Sequence, residues 1–428
     1  MQLDTFIKSS VLGCALLLVL GLSGCGSSTN DKQDSIDSKA QLGERLFSDV
    51  NLSLNRSQSC ASCHSLDHGF IDNRINDSSL GNHFGAGSLG DDDISIGDRN
   101  APSAGYAAFS PVFKLGSRQR VVSQSQDSNL ATYNGYLGGQ FWDGRAENLA
   151  AQAGGPPLNP GEMNMPSKAA VVDRLMENAT YVNAFENLYS ADIFNDAETA
   201  YNAMAEAIGE FEKKNSETFY PFDSKYDKSL TGEYEYDING KAILGKSLFF
   251  SSDLTCASCH QLRAIGNKGE IFTSFEYHNI GVPENSHLRE VNGVVEPDFG
   301  LALNPSVIAN DDVEISKGKF KVPTLRNVAV TAPYMHNGIF NQLDTVIRFY
   351  EHAKKRALEQ ADASVNPETQ LPWGAPEVDA NISNTELGRN DKPLGDTEVD
   401  ALVCFLMTLT DAKFEHLLDA QKIQECGI

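Results

Sequence analysis

Two short segments carry the strongest chemistry in this chain: Cys60-Ala61-Ser62-Cys63-His64 and Cys256-Ala257-Ser258-Cys259-His260. Thiols at i and i+3 share one face of a helical turn, so both can reach the two vinyl groups of one porphyrin. The next residue then offers its imidazole to the iron as proximal ligand. Two alternatives use the same cysteines: zinc held by two CxxC pairs, or a dithiol–disulfide redox pair. Neither requires a histidine directly after both pairs. The reading is therefore two covalently bound c-type haems, attached at Cys60, Cys63, Cys256 and Cys259, with His64 and His260 as proximal ligands.

Each segment follows the same signature. Leu42-Gly43-x-x-Leu46-Phe47 precedes the first, and Leu244-Gly245-x-x-Leu248-Phe249 precedes the second. This spacing implies duplication of a whole domain, not a short solenoid period. LGxxLF reads as a short amphipathic helix packed beside the site. Helix-like apolar spacing also covers Ala169–Tyr189, Glu198–Lys213 and Glu398–Leu409, whereas Val and Ile alternation is sparse. Asn76–Asn100, Gly266–Glu314 and Asp362–Gly395 are rich in Gly, Asn, Asp or Pro and read as long ordered loops. The expected fold is all-α and loop-rich, with two cytochrome c-like haem domains related by duplication. They span residues 40–215 and 216–428, with the boundary near 215–225.

Composition narrows the partners. In 428 residues, 34 Lys+Arg face 58 Asp+Glu, a formal net charge of -24. That acidity argues against nucleic acid, whose phosphates need clustered cations. It is compatible with a basic partner. An apolar share of 41% and a charged share of 21% fit a soluble globular protein.

The N-terminus reads as an address. Lys8 precedes an apolar run, Val11–Leu22, shorter than the ~20 residues that span a bilayer. It suits a signal-peptide core. Leu22-Ser23-Gly24-Cys25 resembles the lipobox of bacterial lipoproteins. That implies removal of residues 1–24, lipid on Cys25 and a flexible tether over 25–39; an uncleaved anchor is the alternative. Either way the protein is exported to the periplasm, where disulfides persist. Gly26 after Cys25 favours the outer membrane by resemblance to lipoprotein sorting patterns. Cys404 and Cys426 are left as a disulfide, or as a buried thiol and a free tail thiol.

Longer motifs surround the haem segments. Arg99-Asn100-Ala101-Pro102 lies upstream of Phe141-Trp142-Asp143-Gly144-Arg145-Ala146. Gln152 leads to Pro156-Pro157-Leu158-Asn159-Pro160-Gly161-Glu162-Met163. Lys321-Val322-Pro323-Thr324-Leu325-Arg326-Asn327-Val328 leads to Thr331-Ala332-Pro333-Tyr334-Met335-His336-Asn337-Gly338. With the two CASCH sites, this resembles the bacterial di-haem cytochrome c peroxidase family, including its MauG-like branch, from about Leu42 to Leu409.

The resemblance implies roles for single residues. The N-terminal haem is the peroxide site in that family, and a Gln and a Glu line its distal pocket. Gln152 and Glu162 have the family spacing. Heterolytic O–O cleavage needs a base that takes the first peroxide proton and returns it to the leaving oxygen. Glu162 is that candidate and Gln152 its neighbour. Trp142 stands where the family places a tryptophan between the haems. A calcium ion is implied at the Asn100 side chain and the carbonyls of Thr331 and Pro333. Main-branch peroxidases place a Met opposite the second haem; Tyr350 holds that position here, as in MauG-like members. Met335 and His352 are nearby alternatives.

For the first haem, a distal His is available only at His83 or His68. His336 falls in a family motif and is expected near the peroxide site. His278, His287 and His416 read as structural or surface residues, and Trp373 has no assigned role. The implied function is a di-haem oxidoreductase that reduces hydrogen peroxide. Electrons come from a small c-type cytochrome or cupredoxin, or from an oxidised residue of a protein substrate. A non-enzymatic, membrane-anchored electron-transfer cytochrome is the alternative.

Overall fold

Short helices joined by long loops organise the chain. The computed structural model describes residues 35–76, 86–118, 132–252, 254, 256–260, 269–388 and 392–428. The signal segment, Cys25 and His83 lie outside the described residues. The first half contains α1 (Lys39–Phe47), α2 (Cys60–Cys63), β1 (Lys114–Arg118), β2 (Tyr133–Leu137), α3 (Leu149–Ala153), α4 (Lys168–Met176), α5 (Ala179–Leu188), α6 (Ala197–Lys214) and α7 (Ser216–Phe219). Next come α8 (Lys225–Thr231), α9 (Lys241–Phe249), α10 (Cys256–Cys259), β3 (Tyr277–His278), α11 (Ser286–Asn292), α12 (Pro305–Ala309), α13 (Val313–Ser316) and β4 (Phe320–Lys321). The chain closes with α14 (Leu343–Ala357), α15 (Asn384–Leu387), α16 (Asp396–Met407) and α17 (Ala420–Cys426).

The molecule is mostly helical with little sheet. β1 and β2 form an antiparallel hairpin, with Lys114 opposite Leu137 and Arg118 opposite Tyr133. β3 and β4 pair over two residues each. The Ala169–Tyr189 periodicity resolves into two helices, because the Asn178 side chain accepts from the Thr180 N–H at 2.9 Å and restarts the helix as α5. Among the described residues, the Gly266–Glu314 and Asp362–Gly395 excursions hold short helices and strands.

Two apolar clusters fill the interior. One gathers Leu42, Phe47, Phe70, Phe185, Met204, Ile208, Phe211 and Phe219. The other gathers Tyr226, Phe249, Phe272, Phe340, Phe349, Leu402 and Phe405. The chain passes from one to the other between Phe219 and Tyr226. Phe414 returns from the C-terminal part to pack on Phe70 at 5.4 Å, and residues 36–428 form one compact unit.

Each cluster is built on the same helix crossing. A Cβ on Gly43 of α1 would run into the carbonyl oxygen of Ala207 in α6; one on Gly245 of α9 would run into that of Ala401 in α16. Only glycine permits so close an approach, which explains the Gly of LGxxLF. The disulfide Cys404–Cys426, with Cα atoms 5.3 Å apart, ties α17 to α16. No helix among the described residues is long and apolar enough to cross a membrane.

Candidate functional site

The second CASCH turn opens onto a cavity of about 260 Å³. Cys256, Cys259 and His260 line one side, and Tyr350 and Glu351 of α14 another. Phe249, Val322, Leu325, Leu402 and Leu406 supply apolar wall. The His260 Nδ1–H donates to the Phe272 carbonyl at 3.1 Å, which leaves Nε2 with its lone pair. Burial pulls the imidazole pKa down to about 4, so the ring is neutral at pH 7. The Cys256 thiol is pushed up to about 12, first by burial.

The first turn repeats this device. The His64 Nδ1–H donates to the Phe70 carbonyl at 3.2 Å, and burial lowers its pKa. Cys60 and Cys63 are each pushed up to about 12, first by burial. Among the described residues no three His, Cys, Asp or Glu side chains converge on a metal position. The two CxxC pairs therefore do not assemble into one tetrahedral centre. Paired neutral thiols, an imidazole fixed through Nδ1 and apolar walls fit a covalently attached haem at each turn.

The residues facing the two turns differ. Tyr350 exposes 36% of its surface yet lines the cavity, and burial, then the Cys259 and Cys256 thiols, raise its pKa. Met335 lines the same cavity. His352 is instead held by Asp362 at 2.8 Å and stacked on Trp373, which gives Trp373 a packing role. At the first turn, the charge of Glu162 contributes to the raised pKa of both Cys60 and Cys63, after burial and larger charge contributions. Burial raises the Glu162 pKa, while Arg145 and a 3.0 Å hydrogen bond from Asn159 Nδ2 oppose the rise. Gln152 sits on α3, which packs on α6, and is half-buried.

Trp142 lines the His260 cavity. Its Nε1–H donates to the Asn100 carbonyl at 2.8 Å, and its own carbonyl accepts from the Lys321 N–H at 2.8 Å. Asn100 Nδ2 donates to the Pro333 carbonyl at 2.7 Å and more weakly to that of Met335 at 3.3 Å. Thus Asn100 and Pro333 meet across 233 positions of sequence. The Thr331 hydroxyl donates elsewhere, to the Val328 carbonyl.

His336 stands on the wall of the His260 cavity, stacked on Phe320 at 3.6 Å with Nε2 3.6 Å from Glu377. His278 also lines this cavity, 3.1 Å from Glu276, so it is no surface residue. His68 approaches Ser65 at 3.3 Å on the turn after the first haem segment. His287 and His416 are exposed.

Several residues escaped the sequence reading. Arg99 pairs with Asp298 at 2.5 Å and Asp143 at 2.7 Å, bracing the Trp142 segment from both halves. Lys321 is buried, donates to the Gly139 carbonyl at 2.5 Å, and has its pKa pulled down to about 7 by desolvation. Glu212 is buried beside Cys60. Lys321 opens a motif already visible in sequence. The ion-pair partners of Arg99, and Cys60 beside Glu212, are far along the chain, and nothing local marks them.

Two haem-binding turns with unequal facing residues define a peroxidase-type di-haem oxidoreductase. The chain belongs to the di-haem cytochrome c peroxidase family, whose pattern residues 37–235 match. It is 42% identical over 414 residues to methylamine utilization protein MauG of Paracoccus denitrificans (strain Pd 1222), covering 96% of this chain and 98% of that one. It is 31% identical to cytochrome c peroxidase Ccp of Escherichia coli (strain K12), over 76% of this chain and 56% of that protein. The solved diheme peroxidase BthA of Burkholderia thailandensis E264 matches with a TM-score of 0.73 and 27% identity, covering 91% of this chain and 89% of that one.

Proposed function

We propose that this protein reduces hydrogen peroxide at the His64 site and draws the electrons through the His260 site. The observation that carries the reading is the asymmetry between two otherwise alike turns. The charge of Glu162, a half-buried carboxyl with a raised pKa, reaches one; Tyr350, a phenol, lines the cavity of the other. When bound, haem supplies a redox-active Lewis acid for peroxide and a two-electron store. Glu162 takes the first peroxide proton and returns it to the departing oxygen, with Gln152 orienting peroxide or water. Trp142 offers a polarisable ring between the sites. Tyr350 would hold the second haem's iron and, on giving up its phenol proton, would supply a hard anionic donor that favours the oxidised state.

Two outputs follow from this chemistry: electrons from a small c-type cytochrome or cupredoxin, or oxidation of a residue on a partner protein. Tyr350 and the similarity to MauG favour the second. The reading also keeps two cytochrome c-like domains related by duplication, 40–215 and 216–428, and an exported, Cys25-lipidated periplasmic protein at the outer membrane. It adds one calcium ion at Asn100, Thr331 and Pro333. The Asn100 amide is already satisfied by Pro333, so calcium binding requires the amide to turn its oxygen inward. Chelation that leaves spectrum and turnover unchanged would remove the ion.

The decisive experiment mixes the oxidised protein with peroxide in a stopped-flow spectrometer. A rapid Soret change without prior reduction is expected. Its absence would overturn the MauG-like version.

A further inference from the structure

Glu212 is a buried carboxyl that the proposed peroxide chemistry does not use. Its place follows from the shared helix crossing. Gly43 packs against Ala207 and Phe211 as Gly245 packs against Ala401 and Phe405. The Phe47 and Phe211 rings lie 5.5 Å apart, and those of Phe249 and Phe405 lie 5.3 Å apart. Lys39 pairs with Glu206 at 2.9 Å, and Lys241 with Asp400 at 2.5 Å. These contacts set α6 and α16 in one register. The residue after Phe211 is Glu212, and the residue after Phe405 is Leu406. Leu406 is wall of the His260 cavity. Glu212 therefore stands where the first site has the corresponding wall. In agreement, its charge is the largest contribution after burial to the raised pKa of Cys60.

The surroundings leave this carboxyl without compensation. Glu212 is 5% exposed, and desolvation is the one cause that shifts it, with no opposite charge or hydrogen bond opposing. Burial raises it to about 8. From α2, Cys60 faces it; from α6 itself, Tyr201 lies near Cys60 and donates its hydroxyl to the Gly154 carbonyl. The other charged groups of the packed helices turn elsewhere. On α1, Lys39 meets Glu206, and Glu44 and Arg45 are exposed. On α4, Lys168 meets Glu198, Arg174 donates to the Leu54 carbonyl, and Asp173 is exposed. Glu217 of α7 is exposed, and α3 carries no charge. On α6, Lys213 and Lys214 pair with Glu210.

We propose that Glu212 is the redox-linked proton site of the first haem: gain of an electron there is coupled to uptake of a proton by this carboxylate. A one-electron donor supplies the electron, solvent supplies the proton, and the charge of the site is unchanged. Oxidation releases both. At the matching position of the second site Leu406 cannot bind a proton, so this particular coupling is absent there. The inference rests on haem attachment at His64, not on peroxide chemistry.

The test is optical redox titration of the full-length two-haem protein from pH 6 to 10, with the two haems resolved spectrally. The potential of the first site should fall with rising pH around 8, by about 59 mV for each tenfold difference in proton affinity between redox states. The second site, whose cavity holds Lys321 and Glu351, keeps a pH profile of its own that serves as the internal reference. Glu212→Gln should flatten the first and leave the second unmoved. An unchanged slope in Glu212→Gln would overturn the proposal, as would a flat first-site potential in the wild type. Should the Gln variant fail to load haem, Glu212→Leu copies the residue accepted at the second site and takes its place. Redox-difference infrared spectra give an independent reading: a protonated-carboxyl band present in the wild type should vanish in either variant, and its persistence would overturn the assignment.

Discussion

The two CASCH turns are held by nearly the same machinery and face different chemistry. On the holding side, LGxxLF crosses its partner helix at a glycine, a Phe–Phe contact backs the crossing, and a backbone carbonyl fixes the proximal His through Nδ1. On the facing side, Glu162 and Glu212 belong to the first turn, whereas Tyr350, Met335 and Leu406 belong to the second. One packing solution therefore serves any c-type haem. On the proposed reading, the few side chains supplied by other segments would set the different chemistry of the two sites.

Removing the acid–base group should separate the halves most. Glu162→Gln is expected to slow peroxide turnover by roughly 10²-fold or more while leaving the second haem's spectrum intact. Steady-state rates near wild type would erase the assigned difference. The pH profile carries the same point. Glu162 must be ionised to accept the first proton, and burial raises its pKa above the ordinary 4.5. Turnover should therefore decline with acid at a pH above the usual carboxylate range.

The shared machinery can be broken symmetrically. Gly43→Val and Gly245→Val should each overpack a helix crossing and cost about 1–3 kcal/mol, measured by denaturant unfolding. A cost on one side only would show that the two crossings are not equivalent. Tyr350→Phe should alter the absorption spectrum of one haem alone. An unaltered spectrum would withdraw Tyr350 in favour of Met335.

The smallest effect concerns electrostatic tuning. Arg145 lowers the Glu162 pKa through its charge, while itself pairing with Asp143 and covering the Phe141 ring at 3.7 Å. Arg145→Ala should move the acid limb of the rate profile to higher pH with little change at its plateau. A limb that stays in place would mean another group sets it.

The long motifs made much of the site legible in sequence, because each haem turn is a local device. The rest was hidden for physical reasons. His352 and Tyr350 lie two positions apart on α14, and only packing shows that Asp362 and Trp373 hold the first away from the cavity. His278 read as structural or surface, and nothing in its neighbourhood signals the cavity, built from segments before and after it, that it lines. The single periodic stretch before Tyr189 concealed a restart at Asn178, a side-chain cap that outweighs continued apolar spacing.

By itself the sequence determined what short-range geometry can determine: thiols one helical turn apart, a histidine following them, and a glycine-bearing helix ahead. These depend on residue spacing within a few turns, which the backbone converts directly into position. Only the tertiary structure decided that Asn100 meets Pro333, that Arg99 bridges Asp143 and Asp298, and that Glu212 takes on α6 the register position that Leu406 holds on α16. Those contacts join residues 44 to 233 positions apart, or depend on which helix face is buried. Their energies arise from burial and charge pairing that exist only once the whole chain has packed.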